Sequence, residues 1–261
     1  MTTNLLEHRY GENVIIFDSL HLNTLLTELS SKDTFQPQIN RIVRRLYSSL
    51  FSLILDRENG DKDLTVDTRM ATFTPKGTLQ TKVLDDQARW VIVDLARAGM
   101  IPSEVCFDEA NEVLDATRAR IDHVFINRKV DENEQVVGTD VSGNKIGGDV
   151  EDALLLFPDP MGATGSSIAD AIGIYRDQVE GTPRKVICVH LIITPEYLRR
   201  ITTDFPDVAV YALRVDRGLS EEEVLATIPG ERWDEEKGLN ERHYIVPGAG
   251  GLGEIINNSF V

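Results

Sequence analysis

The chain has 261 residues, 41% of them hydrophobic, and a formal net charge of −16. That length and apolar share bury a sizeable core and suit one α/β domain over residues 1–261. The acidity argues against a nucleic-acid partner or an anionic membrane surface, while a small anionic ligand held by backbone N–H groups stays open.

Two cysteines, Cys106 and Cys188, read as buried free thiols of a reducing compartment. The N-terminus lacks a basic region followed by an apolar run. No window approaches the roughly 20 apolar residues of a membrane helix. A cytoplasmic location is therefore expected.

In chain order, apolar residues first recur at three- and four-residue steps between Asp18 and Leu55. Leu22, Leu25, Leu26 and Leu29 form one set, and Ile39, Val43, Leu46, Leu50 and Leu53 the other. This spacing predicts two amphipathic helices within 18–59, broken near Ser31–Pro37. The charged run "DRENGDKD" (56–63) ends the second.

Strand-like runs follow: "WVIVDLA" (90–96), "IDHVFIN" (121–127), "ALLLF" (153–157), "KVICVHLII" (185–193) and "VAVYALRV" (208–215). Helices are expected at 166–180 and 195–204, between the last three. Strand–helix–strand spacing with nearly continuous apolar strands implies right-handed crossovers and a mostly parallel sheet covered on both faces. Polar, glycine-bearing residues 129–151 read as a β-arm or a flexible loop, with "DVSGNKI" at a hairpin tip.

Residues 158–167, "PDPMGATGSS", follow the buried strand 153–157 and precede a helix starting near Ser166. In open α/β sheets ligands bind outside the carboxyl ends of strands, where helix N-termini offer N–H groups and a positive dipole end. Gly162, Ala163 and Gly165 admit a ligand to the backbone, and Thr164, Ser166 and Ser167 add hydroxyls. A phosphate meets that demand, and Asp159 suggests hydroxyls or a metal beside it, as on a ribose. With no Lys after the glycines, this is not the ATP-binding P-loop. An ordinary strand–turn–helix capped by Ser166 explains the small residues but not Asp159.

"DPMGATGSS" (159–167) resembles the phosphoribosyl-diphosphate signature of the uracil phosphoribosyltransferase family, in which Asp-Pro-Met and then Ala-Thr-Gly are distinctive. "ARAGM" (96–100), "INRK" (126–129), "TFTPKG" (72–77) and "LNERHYIVPG" (239–248) match other segments of that family in order. The resemblance implies an α/β phosphoribosyltransferase-type fold with N-terminal helices, a β-arm and a C-terminal hood, 239–261, that binds the base. It implies transfer of phosphoribosyl from phosphoribosyl diphosphate to uracil, giving UMP and diphosphate in pyrimidine salvage, with Mg²⁺ carried on the diphosphate.

It also implies roles. Asp159 would hold the ribose hydroxyls, with Pro160, Met161 and Gly162 as its turn, and residues Ala163 to Ser167 would take the 5′-phosphate. Arg97 and Arg128 would meet the diphosphate, which suits guanidinium forks. Ile245, Gly250, Gly251 and Leu252 would line the base. No resident metal ligands are expected, and a homodimer or higher homo-oligomer is, through the 129–151 arm.

"GAGGLG" (248–253) satisfies G-x-G-x-x-G, but only eight residues follow it, too few for the rest of a dinucleotide unit. The same segment departs from the resembling family, whose run there is Gly-Asp-Ala-Gly-Asp. Here Gly251 replaces the first Asp, Leu252 the Ala, and Glu254 the second Asp. A weak or inactive relative that binds a nucleotide or phosphoribosyl diphosphate as a regulator or scaffold is one alternative, and transfer onto a different base is another. Residues 218–237 read as an acidic insertion on the surface. His123, His190 and His243 lack metal-ligand spacing and read as strand residues with satisfied hydrogen bonds.

Overall fold

The computed structural model describes residues 4–130 and 136–259, with backbone alone for 127–130 and 136–140. Strands β1 (Asn4–Leu5) and β2 (Val14–Asp18) come first, followed by helices α1 (Leu20–Ser30) and α2 (Gln38–Glu58). A hairpin of β3 (Asp61–Asp67) and β4 (Thr78–Leu84) leads to β5 (Trp90–Ala96), α3 (Met100–Val113), β6 (Ala119–Val130) and β7 (Val136–Lys145). Then come β8 (Leu154–Pro158), the two-residue β9 (Met161–Gly162), α4 (Ser166–Gln178), β10 (Lys185–Ile193), α5 (Pro195–Asp204) and β11 (Ala209–Val215). Short helices α6 (Glu222–Leu225) and α7 (Leu252–Ile255) complete the order.

The main sheet runs β1-β2-β11-β10-β8-β5-β6-β7, with β9 added to β10. From β2 to β6 every neighbouring pair is parallel, and β1 and β7 join antiparallel at the two edges. Side chains alternate across such strands. Leu154 and Leu156 enter one core with Tyr47 and Phe51 of α2, while Leu155 and Phe157 enter the other with Ile172 and Tyr175 of α4. The expected mostly parallel sheet, covered on both faces, is what forms. Helix α4 presents Ile168, Ala171, Ile172 and Tyr175 to it at helical spacing.

Three segments differ from the sequence expectation. Val14–Asp18 is a buried strand parallel to β11, short enough that the helical pattern after it masks it. Residues 61–84 form the β3–β4 hairpin, whose charged, alternating strands read in sequence as a helix end and a loop. "DVSGNKI" is no hairpin tip: Asp140 to Lys145 lie within β7 and pair with Asn127 to His123. Residues 131–135, which the β-arm reading also covers, lie outside the described residues.

Residues 218–237 form α6, loops and a 3-10 turn tied down by a buried carboxylate. Glu236 accepts from Arg217 at 2.6 Å, from Tyr10 Oη at 2.5 Å and from Gly230 N at 2.8 Å. This segment is thereby fixed to the start of the chain.

Candidate active site at the carboxyl end of the sheet

Strand β8 delivers Asp159 between β10 and β5. The Asp159 amide donates to Val189 O at 3.0 Å, and its carboxylate Oδ1 accepts from Met161 N at 3.0 Å. Beneath it, the fully buried His190 bonds through Nδ1 to Asp159 O and through Nε2 to Tyr197 Oη, both at 2.6 Å. A carbonyl only accepts, so Nδ1 carries the proton and Tyr197 donates to Nε2. Burial lowers the His190 pKa to about 4, against the opposing pull of the Asp159 carbonyl.

The chain then rides over the first turn of α5. Pro160 O accepts from Leu191 N and Ile192 N, and Thr194 takes Gly162 O on its amide and Ala163 O on its hydroxyl at 2.7 Å. A Cβ on Gly162 would stand 2.9 Å from Ile193 Cγ2 and 3.1 Å from the Tyr197 ring. Side chains are absent at Gly162 because the floor comes up to meet it.

Gly165 differs: at φ +79° it is the N-cap of α4 and carries no side chain to cap the helix. Ser166 N donates to Thr164 Oγ1 at 3.4 Å, the remaining first-turn amides get no bond from the cap residue, and the hydroxyls of Thr164 and Ser166 stand 3.1 Å apart at the same helix start. Such a terminus binds anions.

The neighbouring strand β5 ends in the turn bearing Arg97, which follows a cis peptide after Ala96. A Cβ on Gly99 would stand 2.8 Å from Leu95 N and 3.1 Å from Pro158 O, so this turn lies against the end of β8. The Arg97 side chain is exposed, and Nη1 donates to Ser259 Oγ at 2.5 Å.

The C-terminal segment closes on the same turn. A Cβ on Gly253 would lie 3.4 Å from Ala98 Cβ. Its anchor is Asp216, buried at the end of β11, which accepts from Gly248 N at 2.7 Å and from Arg214 at 2.6 and 2.9 Å. Leu239 and Ile245 form a bridge whose bonds run from Asn240 N to Tyr244 O and from Val246 N to Gly238 O, on either side of Ile245.

The structure thus brings Asp159, Pro160, Met161, Gly162, Ala163, Thr164, Gly165, Ser166 and Ser167, the Arg97 turn, and the Gly250–Gly251 turn to one end of the sheet. Ile245 and Leu252 are buried side chains of the core, Leu252 at 1% exposure, so Leu252 does not itself reach into an open pocket. The Arg128 backbone lies on β6 opposite Thr139, and its side chain is outside the described residues. The carboxylate of Glu254 folds back over Gly251, into the place a side chain at 251 would take.

His190 is the strand residue with satisfied hydrogen bonds that the sequence suggests, but sequence reasoning does not place it under Asp159, nor does it reach Thr194, Tyr197 or Arg200. Only Thr194 leaves a local signal, a Thr-Pro helix start after an apolar strand. His123 bonds to the buried Asp94 at 2.8 Å, and burial raises the Asp94 pKa while His123 opposes the rise. His243 is not a strand residue: it sits in a turn at φ +59°, and its buried Nδ1 has no partner among the described residues. Two open surface cavities, about 370 and 310 Å³, lie by Phe17, Leu26 and Leu213 and by Arg89, Arg118 and Arg184, away from the loop.

The sequence model for uracil phosphoribosyltransferase matches residues 16–231. The chain belongs to the uracil phosphoribosyltransferase family. Within it, the chain is 27% identical over 244 residues to a uracil phosphoribosyltransferase of Variovorax paradoxus, covering 94% of this chain and 97% of that one. It is 32% identical over 127 residues to one of Campylobacter curvus, covering 49% of this chain and 50% of that one. Among solved structures, the AQ2163 protein from Aquifex aeolicus shares this α/β fold at a TM-score of 0.68 and 20% identity, covering 93% of this chain and 97% of that one. The family match ends at residue 231, before the 239–261 segment.

Proposed function

We propose that this protein transfers the phosphoribosyl group of phosphoribosyl diphosphate to uracil, forming UMP and diphosphate in pyrimidine salvage. The observation that carries the reading is the glycine-capped start of α4, following Asp159 in the chain and beside the Arg97 turn, in a chain of this family. The 5′-phosphate would take the amides and hydroxyls from Ala163 to Ser167, and the Asp159 carboxylate would take the ribose hydroxyls. Arg97, with Arg128 from β6, would meet the diphosphate. As the C1–O bond breaks, its electron pair leaves on diphosphate. The base nitrogen then bonds to C1 and gives up its proton. Positioning and fixed charge supply most of the acceleration for such a step.

Among the described residues there is no cluster of three or more metal-ligating side chains. Mg²⁺ carried by the diphosphate would supply charge neutralisation for the leaving group, beside Asp159 and Arg97. Peptide groups around Ile245, Gly250 and Gly251 would read the donor–acceptor order of the base.

Loss of the family Asp at Gly251 motivates a second reading, a protein that binds without turnover. The Glu254 carboxylate folded over Gly251 supports the enzyme instead, since it returns an acid to that place. A homodimer would form through the β3–β4 hairpin, where Leu64, Val66 and Leu79 share an exposed apolar face. No helix among the described residues is long and apolar enough to cross a membrane, and a cytoplasmic site of action fits the salvage role.

Purified protein given labelled uracil, phosphoribosyl diphosphate and Mg²⁺ should release UMP. Asp159→Asn should lower kcat/KM by about 100-fold or more, the loss of charged hydrogen bonds to two hydroxyls. Ligand binding without UMP would favour the binding protein, and product only with cytosine or a purine would move the specificity.

A further inference from the structure

A sugar phosphate on this loop brings charge that the loop does not answer. From Asp159 to Tyr175 there is neither Lys nor Arg, and the sequence adds Asp170 in the second turn of α4. A helix N-terminus supplies the equivalent of about half a positive charge. In a chain of net charge −16, a phosphate dianion calls for a cation from another element.

Helix α5 holds one in place. Arg200 Nη1 donates to Ser166 Oγ at 2.8 Å, at the first residue of α4. Its Cδ lies 3.4 Å from where a Cβ on Gly165 would stand, so the bare cap leaves the arginine its path to the loop. From behind, Nε faces Asp204 Oδ2 at 3.6 Å, one turn along α5. The other nearby arginines are engaged elsewhere. Arg199 donates to Trp233 O and faces Asp234, and Arg176 forks onto Asp207 and lies over Phe205.

We propose that Arg200 is a binding residue for the 5′-phosphate, resting on the function proposed above. Its guanidinium would neutralise the dianion at the mouth of α4. By donating to Ser166 Oγ, it also leaves that hydroxyl's own proton to donate. An exposed i,i+4 pair such as Arg200–Asp204 contributes only a few tenths of a kcal/mol. Loss of that pair alone therefore predicts little effect of substitution, and loss of the bond to Ser166 Oγ without a phosphate contact predicts no recovery in Arg200→Lys beyond that of Arg200→Gln.

The test compares wild type, Arg200→Gln and Arg200→Lys. Steady-state kinetics give KM for phosphoribosyl diphosphate and for uracil, and calorimetry gives Kd for ribose 5-phosphate and for inorganic diphosphate. In Arg200→Gln, KM for phosphoribosyl diphosphate and Kd for ribose 5-phosphate should rise about tenfold, the scale of one charged hydrogen bond. The kcat, KM for uracil and Kd for diphosphate should stay within about twofold. Arg200→Lys should recover part of the loss, because it keeps the charge without the fork.

The proposal is overturned if Arg200→Gln binds ribose 5-phosphate as wild type does, or weakens ribose 5-phosphate and diphosphate alike. Binding needs no turnover, so missing UMP would sink the reaction while this comparison still decides Arg200. A wild type that does not bind ribose 5-phosphate overturns both.

Discussion

Glu254 turns the departure at Gly251 into a testable exchange of residues. A side chain at 251 would collide with the Glu254 carboxylate, so an acid at 251 and Glu254 compete for one place. If the carboxylate steadies positive charge on the reacting ribose, Glu254→Gln should reduce kcat about tenfold while KM for uracil holds. Gly251→Asp alone should bring no gain, because Glu254 already fills the place. A gain of tenfold or more in Gly251→Asp would show that Glu254 is no substitute. At this scale the sequence discloses residues that are consecutive. Asp159 to Ser167 are legible because one strand, one turn and one helix start must be written in a row. Thr194, His190, Tyr197 and Arg200 belong to the next strand–helix unit and reach the loop only after the parallel crossover stacks β10 against β8. No spacing along the chain announces that meeting.

Among the elements, the runs that are apolar on both faces were the easiest to read. Trp90–Ala96 and Lys185–Ile193 form residue for residue where the pattern puts them, and so does the amphipathic helix Pro195–Asp204, legible by its helical spacing instead. The β3–β4 hairpin was hidden because its polar face, Asp61, Asp63, Thr65 and Asp67, dominates the composition. Its other face carries Leu64, Val66 and Leu79 at 39–48% exposure, and the connection between the strands exposes Phe73 at 80%. A two-stranded ribbon is marginal by itself in water, so this face needs cover. The homodimer was expected through 129–151, and the apolar face of 61–84 is the better candidate for it. Val66→Lys with Leu79→Lys should convert a dimer into a monomer in sedimentation, with the circular dichroism spectrum unchanged, since exposed substitutions cost little within one chain. A variant that stays dimeric would exclude this face.

Stability against pH belongs to the whole molecule, and His190 ties it to the site. The ring is neutral and wholly buried between Asp159 O and Tyr197 Oη, with a pKa lowered to about 4 from 6.5. Around it, burial pushes the Cys188 thiol up to about 12 and raises the Tyr197 hydroxyl well above its ordinary value, so neither takes up or releases a proton at mildly acidic pH. Between pH 6.5 and 4 the unfolded chain binds a proton at this histidine that the folded chain refuses. The unfolded state therefore gains as pH falls, and folding stability drops across that window and levels off below it. The full penalty is on the order of 3 kcal/mol, one pKa unit being about 1.4 kcal/mol. Urea unfolding of wild type at pH 7.0 and 4.5 should show this loss beyond what His190→Gln shows over the same interval. Glutamine offers a donor and an acceptor to the same partners but cannot titrate, so it should be less stable than wild type at pH 7.0 and nearer to it at pH 4.5. Parallel stability curves for the two proteins would mean that the ring does not stay neutral in the fold. Nε2 would then donate to Tyr197 Oη instead of accepting from it, while Nδ1 would still donate to Asp159 O.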